Sequence, residues 1–149
     1  MIERVVLDTG PLGMVTNPKW NKAALEWFKT MLASDCDVLI PEIADYELRR
    51  NMVLENMQES IKLLDQLKDF LTYLPIDTPT MIEAANLWAE ARLRGKSTAD
   101  PKELDGDAIL ASQAKRARAV VATNNVGHLG QFVETRKWRD MGFSNEKGT

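Results

Sequence analysis

The chain has 149 residues, 44% apolar and 28% charged, which is enough material for one domain of ordinary size with its own hydrophobic core. Its 19 basic and 22 acidic residues leave a net charge of −3, which excludes a strongly basic, nonspecific nucleic-acid coat but leaves room for a local basic face. One cysteine, Cys36, and one histidine, His128, argue against an internal disulfide framework, a zinc cluster or a Cys–His hydrolase. The first residues, Met1-Ile2-Glu3-Arg4, lead into only three apolar residues and do not read as a signal peptide. No apolar run approaches the roughly 20 residues a membrane span needs. A cytoplasmic protein without a membrane partner is expected.

In chain order, Val5-Val6-Leu7-Asp8 reads as a short buried strand, stopped by the turn residues Thr9-Gly10-Pro11. Asn17-Pro18 predicts a helix start, and Trp20, Ala23, Ala24, Trp27, Phe28 and Met31 follow at helical spacing. Val38-Leu39-Ile40 is a second strand, and Pro41 opens a helix with Ile43, Glu47 and Arg50 along one side. Ile61, Leu64, Leu67 and Leu71 mark a further helix, and Tyr73-Leu74-Pro75-Ile76 fits a third strand. Thr78-Pro79 starts a helix that Gly95 ends. Residues 96–104 read as a polar loop, Asp105 to Ala117 as a helix, and Ala119 to Thr123 as a fourth strand closed by Asn124-Asn125. The pattern predicts one domain over residues 1–143, with a frayed tail at 144–149. Strands alternating with helices imply a parallel sheet covered on both faces, with ligands at the carboxyl ends of the strands.

Four acids draw attention. Asp8 ends an apolar strand, where it could also serve as a turn or cap residue. Glu47 shares the side of Ile43, although a surface acid paired with Arg49 or Arg50 is an alternative. Asp107 begins the stripe completed by Leu110, Ala111 and Ala114, which aims it at the sheet, while a first-turn acid favoured by the helix dipole is the plainer reading. Asp105 lies about 200° around the same helix and suits an N-cap, with a reach into the site also open. Converging carboxylates resist burial unless a cation joins them. Mg²⁺ or Mn²⁺ prefers such oxygen donors, and the chemistry this suits is in-line attack of metal-activated water on a phosphodiester.

The motifs together resemble a family. The opening strand through Leu12, the segment Pro41 to Arg50 with Glu47 at its acidic position, the helix Asp107 to Ala114, and the strand end Val120 to Leu129 resemble PIN-domain ribonucleases in order and spacing. Ser112 stands where that helix motif usually has alanine. Size and the bare single-domain form are most similar to VapC-type toxins of type II toxin–antitoxin pairs. The resemblance covers about residues 4–140. It implies an α/β fold: a PIN-like (Rossmann-like) α/β/α sandwich with a central parallel sheet of four to five strands. It also implies an Mg²⁺ (or Mn²⁺) site at Asp8, Glu47 and Asp107 and cleavage of RNA; beside that carry-over, Asp105 is expected as a further metal donor, completing the shell with Asn125. Asn125 occupies a position where many members have a fourth acid, so it adds an amide rather than a charge. Thr9 and Thr123 could orient a carboxylate or simply cap strand ends.

His128 invites a general-base role, although a loop-packing histidine is the commoner case. Arg49, Arg50, Lys115, Arg116 and Arg118 are candidate phosphate contacts that a solvated helix face explains equally well. Trp20, Trp27, Trp88 and Trp138 read as core or dimer contacts rather than base-stacking platforms. The expected partners are the RNA substrate, a cognate antitoxin and a second copy, since the apolar stripes of the first helices exceed what one small sheet needs. Two other functional classes compete. The run Leu7-Asp8-Thr9-Gly10 matches the short aspartic-protease signature, but five helical stripes oppose that all-β fold. A catalytically inactive module that binds RNA or protein is the second, and a housekeeping RNA-maturation nuclease would share the chemistry in another context.

Overall fold

A computed structural model describes residues 2–19, 21–95 and 101–143. Trp20, the stretch 96–100 and the predicted tail 144–149 lie outside them. Five strands, β1 (Arg4–Leu7), β2 (Asp37–Pro41), β3 (Thr72–Leu74), β4 (Val120–Thr123) and β5 (Thr135–Lys137), form one sheet in the order β3-β2-β1-β4-β5. Every pairing is parallel, as the alternation of apolar strands with helices predicts. Six α-helices flank it: α1 (Thr9–Val15), α2 (Lys22–Ala33), α3 (Glu42–Leu54), α4 (Gln58–Phe70), α5 (Thr78–Leu93) and α6 (Pro101–Ala117).

Side chains alternate across the central strand, so β1 feeds two cores. Val5 and Leu7 join Leu12, Phe28, Met31, Met52 and Leu64 from α1 to α4. Val6 joins Leu39, Leu87, Leu110, Ala111 and Val121 beneath α5 and α6. The result is the three-layer α/β/α arrangement. The chain runs from β1 outward through β2 and β3, then returns to place β4 on the other side of β1. The strand order therefore reverses between β1 and β4, whose carboxyl ends carry Asp8 and Thr123-Asn124-Asn125.

Several predicted boundaries shift. Thr9-Gly10-Pro11 is not a turn but the first turn of α1, with Asp8 as its N-cap; Pro11 is tolerated there because first-turn N–H groups need no helical partner. The next helix starts at Lys22 rather than at Asn17-Pro18, because Asn21 accepts from the amides of Ala23 and Ala24. Residues 101–104 belong to α6, with Pro101 as its first residue.

Buried polar groups lock the helices around the future site. Gln113 of α6 is buried, accepts from Ile43 N (3.3 Å) and donates to Leu74 O (2.7 Å). It thereby serves one of the orphan amides at the start of α3, whose N-cap Pro41 offers no side-chain hydrogen bond. Ser112, where the resemblance leads one to expect alanine, donates to Thr80 O at 2.7 Å and ties α6 to the first turn of α5.

Candidate active site

Asp8 follows β1 directly and is half-buried. Its backbone amide donates to Ala122 O (3.0 Å), so the β1–β4 ladder runs right up to the carboxylate. One carboxylate oxygen accepts from Thr9 N (2.8 Å) and the other from the Thr123 hydroxyl (2.7 Å). Of the two threonines singled out in the sequence, Thr123 acts through its hydroxyl and Thr9 through its backbone.

Glu47 sits in the middle of α3, half-buried, against Gly106 of α6. A Cβ on residue 106 would stand 3.2 and 3.3 Å from the two Glu47 carboxyl oxygens, so the glycine makes room for the acid. Burial pushes the Glu47 carboxyl above its ordinary pKa, the negative charge of Asp8 pushes it further, and Arg50 partly offsets both. Glu47 and Asp8 are thus electrostatic neighbours. The point where Glu47 meets α6 lies between Asp105 and Asp107.

The two α6 acids diverge. Asp107 is half-buried and is the seventh residue of α6, past the first turn where a dipole role would hold. Asp105 is exposed and is no N-cap, since α6 has already run a full turn before it. It borders a groove of about 440 Å³ between α5 and α6, with Met81, Ala84, Ala85, Trp88, Ala108 and Ile109. Asn125 is exposed, and its Oδ1 accepts from Gly127 N (3.2 Å).

Among the described residues, no three His, Cys, Asp or Glu side chains close into a metal cage. The donor chemistry nonetheless suits a hard divalent cation. Asp8 and Glu47 are half-buried oxygen donors that repel each other, with Arg50 partly offsetting the effect on Glu47.

Most of the other candidates are engaged elsewhere. Arg49 is committed to Asp45 and Asp65, both at 2.8 Å. Lys115 and Arg116 face Glu83 of α5 at 3.9 and 3.8 Å. Arg118 lines a cavity at the amino ends of the strands, with Arg4, Cys36 and Arg136, away from the acids. Arg50 remains beside the site, its guanidinium 5.2 Å from the Tyr46 ring centroid. His128 is half-buried and precedes the short turn Leu129–Gln131. Trp27 and Trp138 are buried and paired, with ring centroids 5.5 Å apart.

Asn124, expected only as a strand-end residue, and Asp45, not singled out in the sequence, are structurally central. Asn124 accepts from the Trp138 indole at 2.9 Å and packs over Gly10. Asp45, buried on the side of α3 opposite Glu47, holds Arg49 (2.8 Å), Lys68 (3.3 Å) and the Tyr73 hydroxyl (3.0 Å). Burial alone would raise the Asp45 carboxyl, but the hydrogen bonds from Arg49 and Tyr73 and the charges of Arg49 and Lys68 hold it below its ordinary value. The i+4 arginine was visible in the sequence; Lys68 and Tyr73 come from other elements.

The PIN domain family profile matches residues 5–129. The chain belongs to the PIN-domain family. No curated protein sequence matches it. Among solved structures this PIN domain is similar to VapBC2 from Rickettsia felis bound to a DNA fragment from their promoter, with a TM-score of 0.74 at 17% identity, covering 91% of this chain and 98% of that one. It is similar to FitAcB from Neisseria gonorrhoeae, with a TM-score of 0.71 at 23% identity, covering 92% and 99%. DNA-bound VapBC from Salmonella typhimurium follows with 0.65 at 22%, covering 93% and 99%. The likeness is one of fold, and the five-stranded parallel sheet with six helices is the PIN fold.

Proposed function

We propose that this PIN domain is a metal-dependent endoribonuclease, the toxin of a type II toxin–antitoxin pair. The observation that carries the reading is the Asp8–Glu47 pair at the switch point. Two acids are held together there at an electrostatic cost, and α6 carries a glycine to admit one of them. A fold has no use for such a pair, whereas a divalent cation does.

Asp8, Glu47 and Asp107 would hold Mg²⁺ or Mn²⁺, with Asp105 and Asn125 in the outer part of the site. When bound, the ion supplies the Lewis acidity that activates water for in-line attack on a phosphodiester and neutralises charge on the leaving oxygen. The protein's own part is orientation. Thr123 and the Thr9 amide fix both oxygens of Asp8. Gln113 fixes the start of α3, four residues ahead of Glu47, and the Asp45 network fixes its far side. Arg50 moderates the negative field at the rim.

The solved relatives named VapBC and FitAcB support an antitoxin partner and a toxin role. A homodimer fits the exposed apolar side chains Met81 and Ile82 on α5 and Val53 and Leu54 on α3. Among the described residues no helix is long and apolar enough to cross a membrane; we place the protein in the cytoplasm with its RNA substrate.

The inactive-module reading draws on Asn125, whose amide oxygen is already engaged by Gly127 and supplies no fourth charge. Fragment chemistry separates the two. Hydrolysis by water leaves ordinary phosphate and hydroxyl ends on cleaved RNA. Ends carrying 2′,3′-cyclic phosphate contradict the mechanism, and RNA bound but never cut favours the inactive module.

A further inference from the structure

We infer that Asn124 binds the substrate, donating a hydrogen bond from its side-chain Nδ2 to a non-bridging phosphate oxygen of the RNA. This rests on the nuclease reading above and names a contact within that site.

An asparagine amide has one accepting and one donating end, and either could face a ligand. The indole N–H of Trp138 can only donate, and it lies 2.9 Å from Asn124 Oδ1. That contact holds the oxygen on Trp138 and leaves Nδ2 on the Gly10 side of the amide. The nitrogen then lies over Gly10, close to where a Cβ on that residue would sit, and the amide carbon would stand only 2.8 Å from such a Cβ. The space that Gly10 leaves is the space the amide uses.

The location is what gives this orientation a purpose. Asn124 follows Thr123, which holds Asp8, and Gly10 lies two residues beyond Asp8. Asn124 is exposed, and among the described residues its Nδ2 donates to no protein acceptor. A neutral amide donor next to Thr123, the residue that holds Asp8, can take a phosphate oxygen without pairing with the acid itself. Behind it, Trp138 is 4% exposed and packed against Trp27, which holds the donor in place before any ligand arrives.

The test measures binding of a fluorescein-labelled single-stranded RNA by anisotropy in EDTA, then steady-state cleavage of the same RNA in Mg²⁺. The full chain is compared with Asn124→Ala and Trp138→Phe. With Asn124→Ala, Kd and KM are expected to rise about tenfold, with kcat within about twofold and the melting temperature within a few degrees of the parent. Trp138→Phe keeps an aromatic side chain and the Asn124 amide but removes the N–H that orients it, and an intermediate rise in Kd is expected. A melting temperature that falls while Kd stays put makes Asn124 a purely structural strut and overturns the inference. If the parent cleaves RNA and Asn124→Ala binds as tightly, the inference alone fails. If the parent neither binds nor cleaves, the nuclease reading fails with it.

Discussion

The Thr123 hydroxyl donates to Asp8 Oδ2 at 2.7 Å, joining residues 115 positions apart at the ends of two adjacent parallel strands. With the Thr9 amide on the other oxygen, it leaves Asp8 little freedom to rotate. Thr123→Ala is expected to lower cleavage by about 10- to 100-fold, as loss of a partner that orients a metal-binding carboxylate typically does. It should cost about 1 kcal/mol of stability. Thr123→Ser, which keeps the hydroxyl, should retain most of the activity; equal losses in both variants would show that the hydroxyl does not orient Asp8.

Glu47 titrates with the opposite stability sign from a paired acid. Its folded-state pKa lies above the unfolded value, so the folded protein holds its proton more tightly. Glu47 therefore costs stability once the pH exceeds that raised pKa, and the cost is relieved as the pH falls through it. In EDTA, Glu47→Gln is expected to melt higher than the parent at pH 7, with the difference shrinking toward pH 4. Adding Mn²⁺ at about 100 times its Kd should stabilise the parent by about 2.7 kcal/mol. Glu47→Gln should gain clearly less. Denaturation scans in EDTA and Mn²⁺ check both statements.

Asp8 and the Asp107 helix, as candidates, were legible in the sequence because a strand-end acid and a helix stripe are local signals. An apolar run that stops at Asp8, and a stripe that begins at Asp107, are visible without any tertiary knowledge. What was not legible depends on contacts between distant elements. α1 hid behind Gly10 and Pro11, which punctuate a sequence strongly yet fit a first helical turn when Asp8 caps it. β5 is three residues, Thr135 to Lys137, with no apolar rhythm; it exists because β4 offers it an edge. Asp105 read as an N-cap because Pro101 and the polar residues before it resemble a loop, and α6 in fact begins at that proline. Asn124 looked like a strand-end turn residue, since nothing local announces that Trp138 will reach back to it.

Asp45 gives the ordinary acid behaviour. Its folded-state pKa lies below the unfolded value, so its stabilisation is present above about pH 4 and is lost as the pH falls through the folded value. Asp45→Asn leaves Arg49, Lys68 and Tyr73 with weaker partners. It is expected to cost about 2 kcal/mol at neutral pH. The gap to the parent should narrow below pH 4. A constant gap down to pH 2 would show that charge is not what Asp45 contributes.

Gly106 sets two effects against each other. Alanine in the middle of α6 gains up to about 1 kcal/mol of helix propensity. Its Cβ would approach the Glu47 carboxyl oxygens at 3.2 and 3.3 Å, and that flexible end can give way by a few tenths of an ångström. Gly106→Ala is therefore expected to hold or raise the melting temperature while lowering cleavage several-fold by displacing Glu47. A variant that is both less stable and fully active would mean that Glu47 neither yields nor matters.

In the proposed mechanism Asp8, at the carboxyl end of β1, and Asp107, in the amino-terminal half of α6, act on RNA through a divalent cation. The most direct test of that mechanism incubates the purified chain with total cellular RNA in Mg²⁺, in Mn²⁺ and in EDTA, beside Asp8→Asn and Asp107→Asn. Discrete fragments that vanish in EDTA and in both variants are the expected result. Cleavage that survives EDTA or both substitutions, or no cleavage with either metal by a folded protein, contradicts it.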